Sequence, residues 1–306
     1  MTSIHYHRYE MKSASALNSA SRKQVHEGAL IRLGEGGFGC LHPWPELGDD
    51  PLETQLQILA EGGSSPLIEG TLRCAKADAA ARAEGRSLFE GEVPESHWLA
   101  LPGDEPAEVR ESGFDTVKLK LGRDFVHESA LVEKWHDAGF RLRLDYNESL
   151  SLSTFLEYWE TLGLIQKRVQ LIEDPVIWDT ENWRVLREIG VPVATDREVE
   201  KRFHSGDIAV IKPAVSDWLP PGEEPFLVTS YMDHAIGQAW AAVEAARLAK
   251  EYPTRLIGCG LLTHRCFESD PFFEQLKTDG PRILPVAGTG LGFDELLEGL
   301  AWKSLS

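Results

Sequence analysis

The 306-residue chain is long enough to bury a barrel-sized core plus a smaller domain, and 42% hydrophobic with 26% charged residues is the balance of a folded, water-exposed protein. Its formal net charge of -18 excludes a nucleic-acid backbone or an anionic membrane surface as partner, because both need a basic face. Cys40, Cys74, Cys259 and Cys266 form neither a C-x-x-C pair nor a zinc spacing, the N-terminus MTSIHYHRYEMK has no apolar signal region, and no apolar run nears a membrane span; a reduced, cytoplasmic setting is expected.

Residues 28–33 (GALIRL) read as a strand, GEGGFG as a tight hairpin turn and HPWPELGDDP as a proline-punctuated loop. The GEGGFG run lacks the strand-to-helix frame of a phosphate loop. Residues 71–90, rich in Ala, Arg and Glu, read as a helix, so a small α+β domain is expected first. From about residue 95 a rhythm sets in. FDTVKLKLG is a strand, and RDFVHESALVEKWHDAG a helix stopped by glycine. RLRLDYN is a strand, followed by Leu152, Phe155, Leu156, Trp159 and Leu162 at helical spacing. VQLIEDP is the next strand, then a helix marked by Trp183, Leu186 and Ile189. PVATD, IAVIKP and PFLVTSY are strands, residues 235–250 an amphipathic helix and RLIGCG the last strand. Repeated strand–helix units make a parallel sheet, and seven or eight strands without a dinucleotide fingerprint favour a closed β/α barrel over an open sheet. Between Lys212 and Thr229 the segment DWLPPGEEP forbids a helix interior, so an irregular link should replace the helix after the sixth strand, with Trp218, a neighbouring helix or a second subunit covering Ile211.

In a β/α barrel the C-terminal strand ends meet in one ring. The second strand ends in Lys118 and Lys120, the third in Arg143 and Asp145, the fourth in Glu173, the fifth in Asp196 and the sixth in Lys212. Alternation puts Lys118 with Lys120, and Arg143 with Asp145 and Asn147, on one face, while Val117, Leu119 and Leu121 face the helices. Three carboxylates on adjacent strands converge as hard oxygen ligands, which suits Mg2+. Taken singly, Asp145 and Asp196 could be helix caps, and Glu173-Asp174-Pro175 a turn. A buried strand rarely accepts Lys-Leu-Lys unless the cations have partners or work to do. Lys118 beside Lys120 should lower the pKa of Lys120 and make it a competent base; the alternative is three structural, salt-bridged lysines.

Lys118-x-Lys120, Asp145, Glu173-Asp174-Pro175, Asp196 and the Ile-Lys-Pro around Lys212 resemble the enolase superfamily. Arg143-x-Asp145-x-Asn147, residues 21–48 and TSYMDHAIG (229–237) resemble, more finely, its o-succinylbenzoate synthases of menaquinone biosynthesis. That resemblance implies an α/β fold, a modified (β/α) TIM-type barrel over residues 95–284, with an N-terminal α+β capping domain over residues 1–94 that the tail 285–306 rejoins after the glycine turn GTGLG. It implies one Mg2+ on Asp145, Glu173 and Asp196, Lys120 as the base, Lys212 as the electrostatic stabiliser on the opposite face, and Lys118 tuning Lys120. Arg143, Asn147, Thr229 and Ser230 would contact a small carboxylate substrate, which a carbon–oxygen lyase dehydrates to an aromatic product. Departures from the pattern include Arg197 and Glu198 after Asp196, and Phe38-Gly39-Cys40 where the family has Trp-Gly-Glu. Within the superfamily the alternatives are an N-acylamino acid racemase, a dipeptide epimerase or a cycloisomerase; outside it, a non-catalytic binding barrel. Oligomeric state is not legible.

Overall fold

The computed structural model describes residues 3–13, 17, 23–34 and 36–305; Met1, Thr2, residues 14–16 and 18–22, Glu35 and Ser306 of the segments read above lie outside them. The first unit is an antiparallel sheet of β1 (Ile4–Lys12), β2 (Val25–Leu33) and β3 (Gly37–Leu41). Of the GEGGFG run read as a hairpin turn, Gly34 and Gly36 lie between β2 and β3, whereas Gly37, Phe38 and Gly39 already belong to β3 and pair with β2. Helices α1 (Leu52–Ala60) and α2 (Pro66–Ala83) cover one face, burying Ala29, Ile31 and Leu41 against Leu52, Leu56, Leu59, Leu67 and Ile68. The glycines of β3 permit this contact: a Cβ on Gly39 would lie 2.4 Å from the Thr71 carbonyl oxygen, and one on Gly37 2.3 Å from that of Ala75. The helix expected over 71–90 in fact starts at Pro66, capped by the Ser65 hydroxyl, and ends before Gly85, whose φ of 65° no helix continues. The tail returns to this sheet, where Lys303–Ser304 pairs antiparallel with β1.

Eight consecutive strands form the second sheet, all parallel and paired in chain order: β4 (Trp98–Leu99), β5 (Thr116–Lys120), β6 (Arg141–Asp145), β7 (Val169–Glu173), β8 (Val193–Thr195), β9 (Ile208–Ile211), β10 (Phe226–Thr229) and β11 (Leu256–Gly260). The ring closes where the His97 amide donates to the Cys259 carbonyl (2.8 Å) and the Cys259 amide to the Glu95 carbonyl (2.9 Å). Connecting helices are α3 (Pro106–Glu111), α4 (Phe125–Asp137), α5 (Leu152–Leu162), α6 (Thr180–Glu188), α7 (Val199–Arg202) and, after β10, α8 (Ala235–Glu251).

Side-chain alternation divides the strands into two layers. Val117, Leu119, Leu142, Leu144, Ile172, Ala209, Ile211, Phe226 and Val228 pack outward in the main core. Leu171, Ala194, Val210 and Leu227 form a separate plug inside the barrel. Two residues beyond the plug, and therefore on the same inner face, stand Glu173, Asp196, Lys212 and Thr229. The apolar layer is the floor on which the ionisable ring rests.

Between β9 and β10 there is no helix, as the prolines require. The link lies against the barrel instead. The Trp218 ring meets Phe203 edge to face at 5.4 Å, Trp218 and Leu219 pack on the main core, and Ile211 is only 2% exposed. Arg255 fastens the link by donating to the carbonyls of Pro220 (2.5 Å) and Glu224 (3.1 Å). All four cysteines are free and buried.

Candidate active site

A cleft opens at the C-terminal end of the barrel, lined by Lys118, Lys120, Asp145, Asn147, Glu173, Asp196, Lys212, Thr229 and Ser230 together with His97, Trp44, Tyr231, Met232, Gly260 and Thr263. Nine of the ten residues singled out from sequence meet there. Strand register explains the row at its centre: Lys120 pairs with Asp145 across β5 and β6, and Asp145 with Glu173 across β6 and β7. β5 and β9 are second and sixth in a ring of eight, so Lys120 and Lys212 face each other across the cleft.

The lysines differ in partners. Lys118 Nζ lies 2.9 Å from Asp145 Oδ2 and 2.5 Å from Glu173 Oε2. Burial alone would drive its proton off, but the two carboxylates outweigh burial and hold its pKa well above that of an ordinary lysine. Lys120 Nζ donates to the Leu17 carbonyl and approaches Met232 Sδ at 3.4 Å. Its pKa is depressed, first by burial and then by Lys118 against the pull of Asp145; the sequence reading had named only the like charge. Lys212 Nζ sits 2.7 Å from Asp196 Oδ1 and 5.7 Å from the Tyr231 ring centre.

The carboxylates expected to converge on one point divide between the ammonium groups. Asp145 and Glu173 gather on Lys118 and Asp196 on Lys212. Among the described residues no three acidic, histidine or cysteine side chains draw together into a closed ligand shell. Mutual repulsion of buried carboxylates favours this arrangement. The donor set still has cation-binding capacity to spare. Glu173 Oε1 is buried without a hydrogen-bond partner. Glu173 is also pushed up in pKa by burial, then, against Lys118, by Asp145 and Asp196, the mark of surplus negative charge. Asp145 is held below the usual range: burial pushes it up, but Lys118 and Lys120 outweigh this. Asn147 donates its side-chain and backbone N–H groups to Asp145 Oδ1 (2.9 and 3.2 Å), so it orients a carboxylate as well as lining the cleft. Asp174, buried with φ 39°, accepts from the Asp196 amide (3.2 Å) and holds the turn that presents Asp196.

Arg143 departs from its expected place. It precedes Asp145 by two residues on the same face, which sets it roughly 6.6 Å deeper along the strand. It is 3% exposed and does not line the cleft. Its donors go to Gln170 Oε1 (2.8 Å), His97 Nδ1 (2.8 Å), the Cys259 carbonyl (3.1 Å) and the Ile257 carbonyl (3.1 Å). Sequence reasoning missed His97, which immediately precedes a two-residue strand with no alternation to mark it. It also missed the lid contacts: Trp44 Nε1 donates to the Tyr231 carbonyl (2.8 Å) and the Tyr231 hydroxyl to Asp49 Oδ2 (2.9 Å), tying the first unit's loop to the rim of the barrel.

A family model described as o-succinylbenzoate synthase, N-terminal domain, matches residues 4–81, and one described as enolase C-terminal domain-like matches residues 104–209. The o-succinylbenzoate synthase of Bdellovibrio bacteriovorus is 35% identical over an alignment that covers 100% of this chain and 99% of that protein. The chain belongs to the o-succinylbenzoate synthase family. Solved structures extend the likeness at the level of fold. The dipeptide epimerase of Enterococcus faecalis superposes with a TM-score of 0.75 at 17% identity over 95% of this chain and 99% of that one. The L-Ala-D/L-Glu epimerase of Bacillus subtilis superposes with a TM-score of 0.70 at 16% identity over 95% and 98%. This chain and these epimerases thus share a fold.

Proposed function

We propose that this chain is an o-succinylbenzoate synthase, a carbon–oxygen lyase that removes water from 2-succinyl-6-hydroxy-2,4-cyclohexadiene-1-carboxylate. The observation that carries this reading is the full-length match to a synthase of that name, joined to a cleft in which Lys120 and Lys212 stand on opposite sides of three carboxylates. The epimerases match at 16–17% identity, which speaks to fold alone.

Asp145, Glu173 and Asp196 would hold one Mg2+, whose charge stabilises the negative charge that builds on the substrate carboxylate. Lys120, its pKa depressed by burial, takes the proton from the ring carbon that bears the carboxylate, and the electron pair moves into that carboxylate as an enediolate. Lys212 remains an ammonium and stabilises this charge from the opposite face. Lys120, now protonated, returns the proton to the neighbouring hydroxyl; the carbon–oxygen bond breaks, water leaves, the ring becomes aromatic and the amine is regenerated. Lys118 keeps its proton between Asp145 and Glu173, limits their repulsion and adds a positive charge beside Lys120. Thr229 and Ser230 line the wall available to the rest of the substrate, and Lys118, Lys212 and the bound cation would offset the carboxylates so that an acidic chain can hold an anionic substrate.

Residues 1–94 with 285–306 act as the cap over the barrel of residues 95–284. Among the described residues no helix is long and apolar enough to cross a membrane, and a small-molecule enzyme of the cytoplasm is the setting that fits the chain. The test is turnover of the cyclohexadiene carboxylate beside N-succinylamino acids, with Mg2+ present. Dehydration at enzymatic rates is expected; racemisation of the amino acid with no dehydration would overturn the reading.

A further inference from the structure

The arc of the barrel away from the carboxylates carries a polar wall whose chemistry is fixed by His97. Its ring is buried, 6% exposed, and lines the cleft. Nδ1 receives the Arg143 Nη1–H at 2.8 Å. A guanidinium has no acceptor, so Nδ1 must present its lone pair and the ring proton must sit on Nε2. Burial, reinforced by Arg143, Lys118 and Lys120, keeps the imidazole neutral. Arg143 itself cannot turn away, because its remaining donors are bound to Gln170 and to two carbonyls of β11.

The Cε1–Nε2 edge of the ring faces Gly260. A Cβ there would lie 2.5 Å from His97 Cε1, 2.8 Å from Nε2 and 3.0 Å from Thr229 Cγ2. Only glycine leaves this edge and Thr229 room on the cleft wall. Independently, Thr229 Oγ1 is buried without a hydrogen-bond partner. The His97 ring edge and the Thr229 side chain therefore flank one backbone glycine, with His97 immediately before β4, Thr229 on β10 and Gly260 on β11, the strands furthest around the ring from β7, which carries the central carboxylate. A substrate whose reacting carboxylate lies at Asp145, Glu173 and Asp196, between Lys120 and Lys212, must extend its other substituent toward this wall.

We propose that His97 donates a hydrogen bond from Nε2 to an oxygen of the substrate's non-reacting succinyl arm, and that Arg143 sets specificity through His97 rather than by touching the substrate. The inference rests on the functional reading above and goes further in assigning the arm's recognition to a neutral donor locked in one tautomer. Arg143 is the positioning residue; His97 and Thr229 make the contact.

Two substitutions separate the roles. His97→Asn keeps an acceptor near the Nδ1 position for Arg143 but no longer reaches the arm; His97→Gln reaches it. Affinities of the Mg2+-loaded enzyme for the product o-succinylbenzoate and for benzoate, which lacks the arm, are measured by calorimetry, with KM and kcat alongside. In His97→Asn, o-succinylbenzoate affinity should fall about tenfold, as expected for one hydrogen bond to a charged or strongly polar oxygen, while benzoate affinity holds. KM should carry more of the loss than kcat, and His97→Gln should recover most of it. Equal weakening of both ligands, or no weakening of either, would overturn the proposal and leave His97 a structural residue. Absence of turnover by the wild-type enzyme would overturn the functional reading and this inference with it, and is recognised because it precedes any variant.

Discussion

Lys118 and Lys120 stand two residues apart on the inner face of β5, yet only Lys118 has carboxylate partners. Asp145 and Glu173 hold its ammonium, whereas among the described residues no carboxylate oxygen lies within 4.0 Å of Lys120 Nζ, which rests on the Leu17 carbonyl and Met232. One strand thereby carries one lysine whose pKa is raised and one whose pKa is depressed, a division made by environment alone.

That division has a pH signature. In the proposed mechanism the active form of Lys120 is the neutral amine, and its pKa is depressed from the ordinary lysine value of 10.5. A plot of kcat/KM against pH should rise as Lys120 loses its proton and level off above an apparent pKa lower than that of a free lysine. A profile that keeps climbing to pH 10.5 and beyond would show that burial does not tune this residue.

Mg2+ should stabilise the fold. A ligand present at about a hundred times its Kd adds roughly 2.7 kcal/mol to the folded state, a shift of several degrees in Tm. Glu173→Gln removes a charge from the donor set and should abolish most of that increment. Scanning calorimetry with and without the ion reads the effect without any substrate.

Asp233, at the foot of α8, gives a second pH dependence of opposite origin. Burial lifts its carboxyl from 3.8 to about 7, and its Oδ1 has no partner. The folded state therefore holds this proton more tightly than the unfolded chain, so the associated stability is full below about pH 4 and is lost as pH rises toward 7. Asp233→Asn lacks this loss. Its stability should gain on wild type from pH 5 to pH 8 by on the order of a few kcal/mol, read as a rising difference in Tm. A constant difference across that range would mean the carboxyl is ionised throughout.

The link that replaces a barrel helix depends on one indole. Trp218→Ala should cost about 2–3 kcal/mol, less than full burial of a tryptophan would imply, because the ring is only partly covered. Urea unfolding measures the loss. Lys212 is held by the end of β9 and by Asp196, so kcat/KM should change little.

Strands β5 to β11 were legible in the sequence because each is a short apolar run closed by a turn, and helices α4, α5 and α6 stop at Gly139, Gly163 and Gly190. The ionisable ring was legible for the same reason: alternation places Lys120, Asp145, Glu173 and Lys212 inward once the strands are found. Depth was not legible. Arg143 shares the inward parity of Asp145 but lies one layer lower, where only the closed barrel brings Gln170, His97 and the β11 carbonyls around it. β4 has two residues and no pattern, which hid His97. β1, IHYHRYEMK, is largely polar, and only pairing with β2 and the C-terminal strand makes it part of a sheet. The helix Leu52–Ala60 does carry an apolar stripe at Leu52, Leu56 and Leu59, but it directly follows the loop that ends at Pro51, and the sequence reading assigns it no element.

The most direct test of Lys120 as the base of a synthase is dehydration of the cyclohexadiene carboxylate by Lys120→Ala, followed as product absorbance in the presence of Mg2+. The variant should fold with a near-native Tm, bind o-succinylbenzoate, and turn over at least about a thousandfold more slowly than wild type, in keeping with the loss of a positioned acid–base group. A folded Lys120→Ala that dehydrates the substrate within tenfold of the wild-type rate would contradict the assignment.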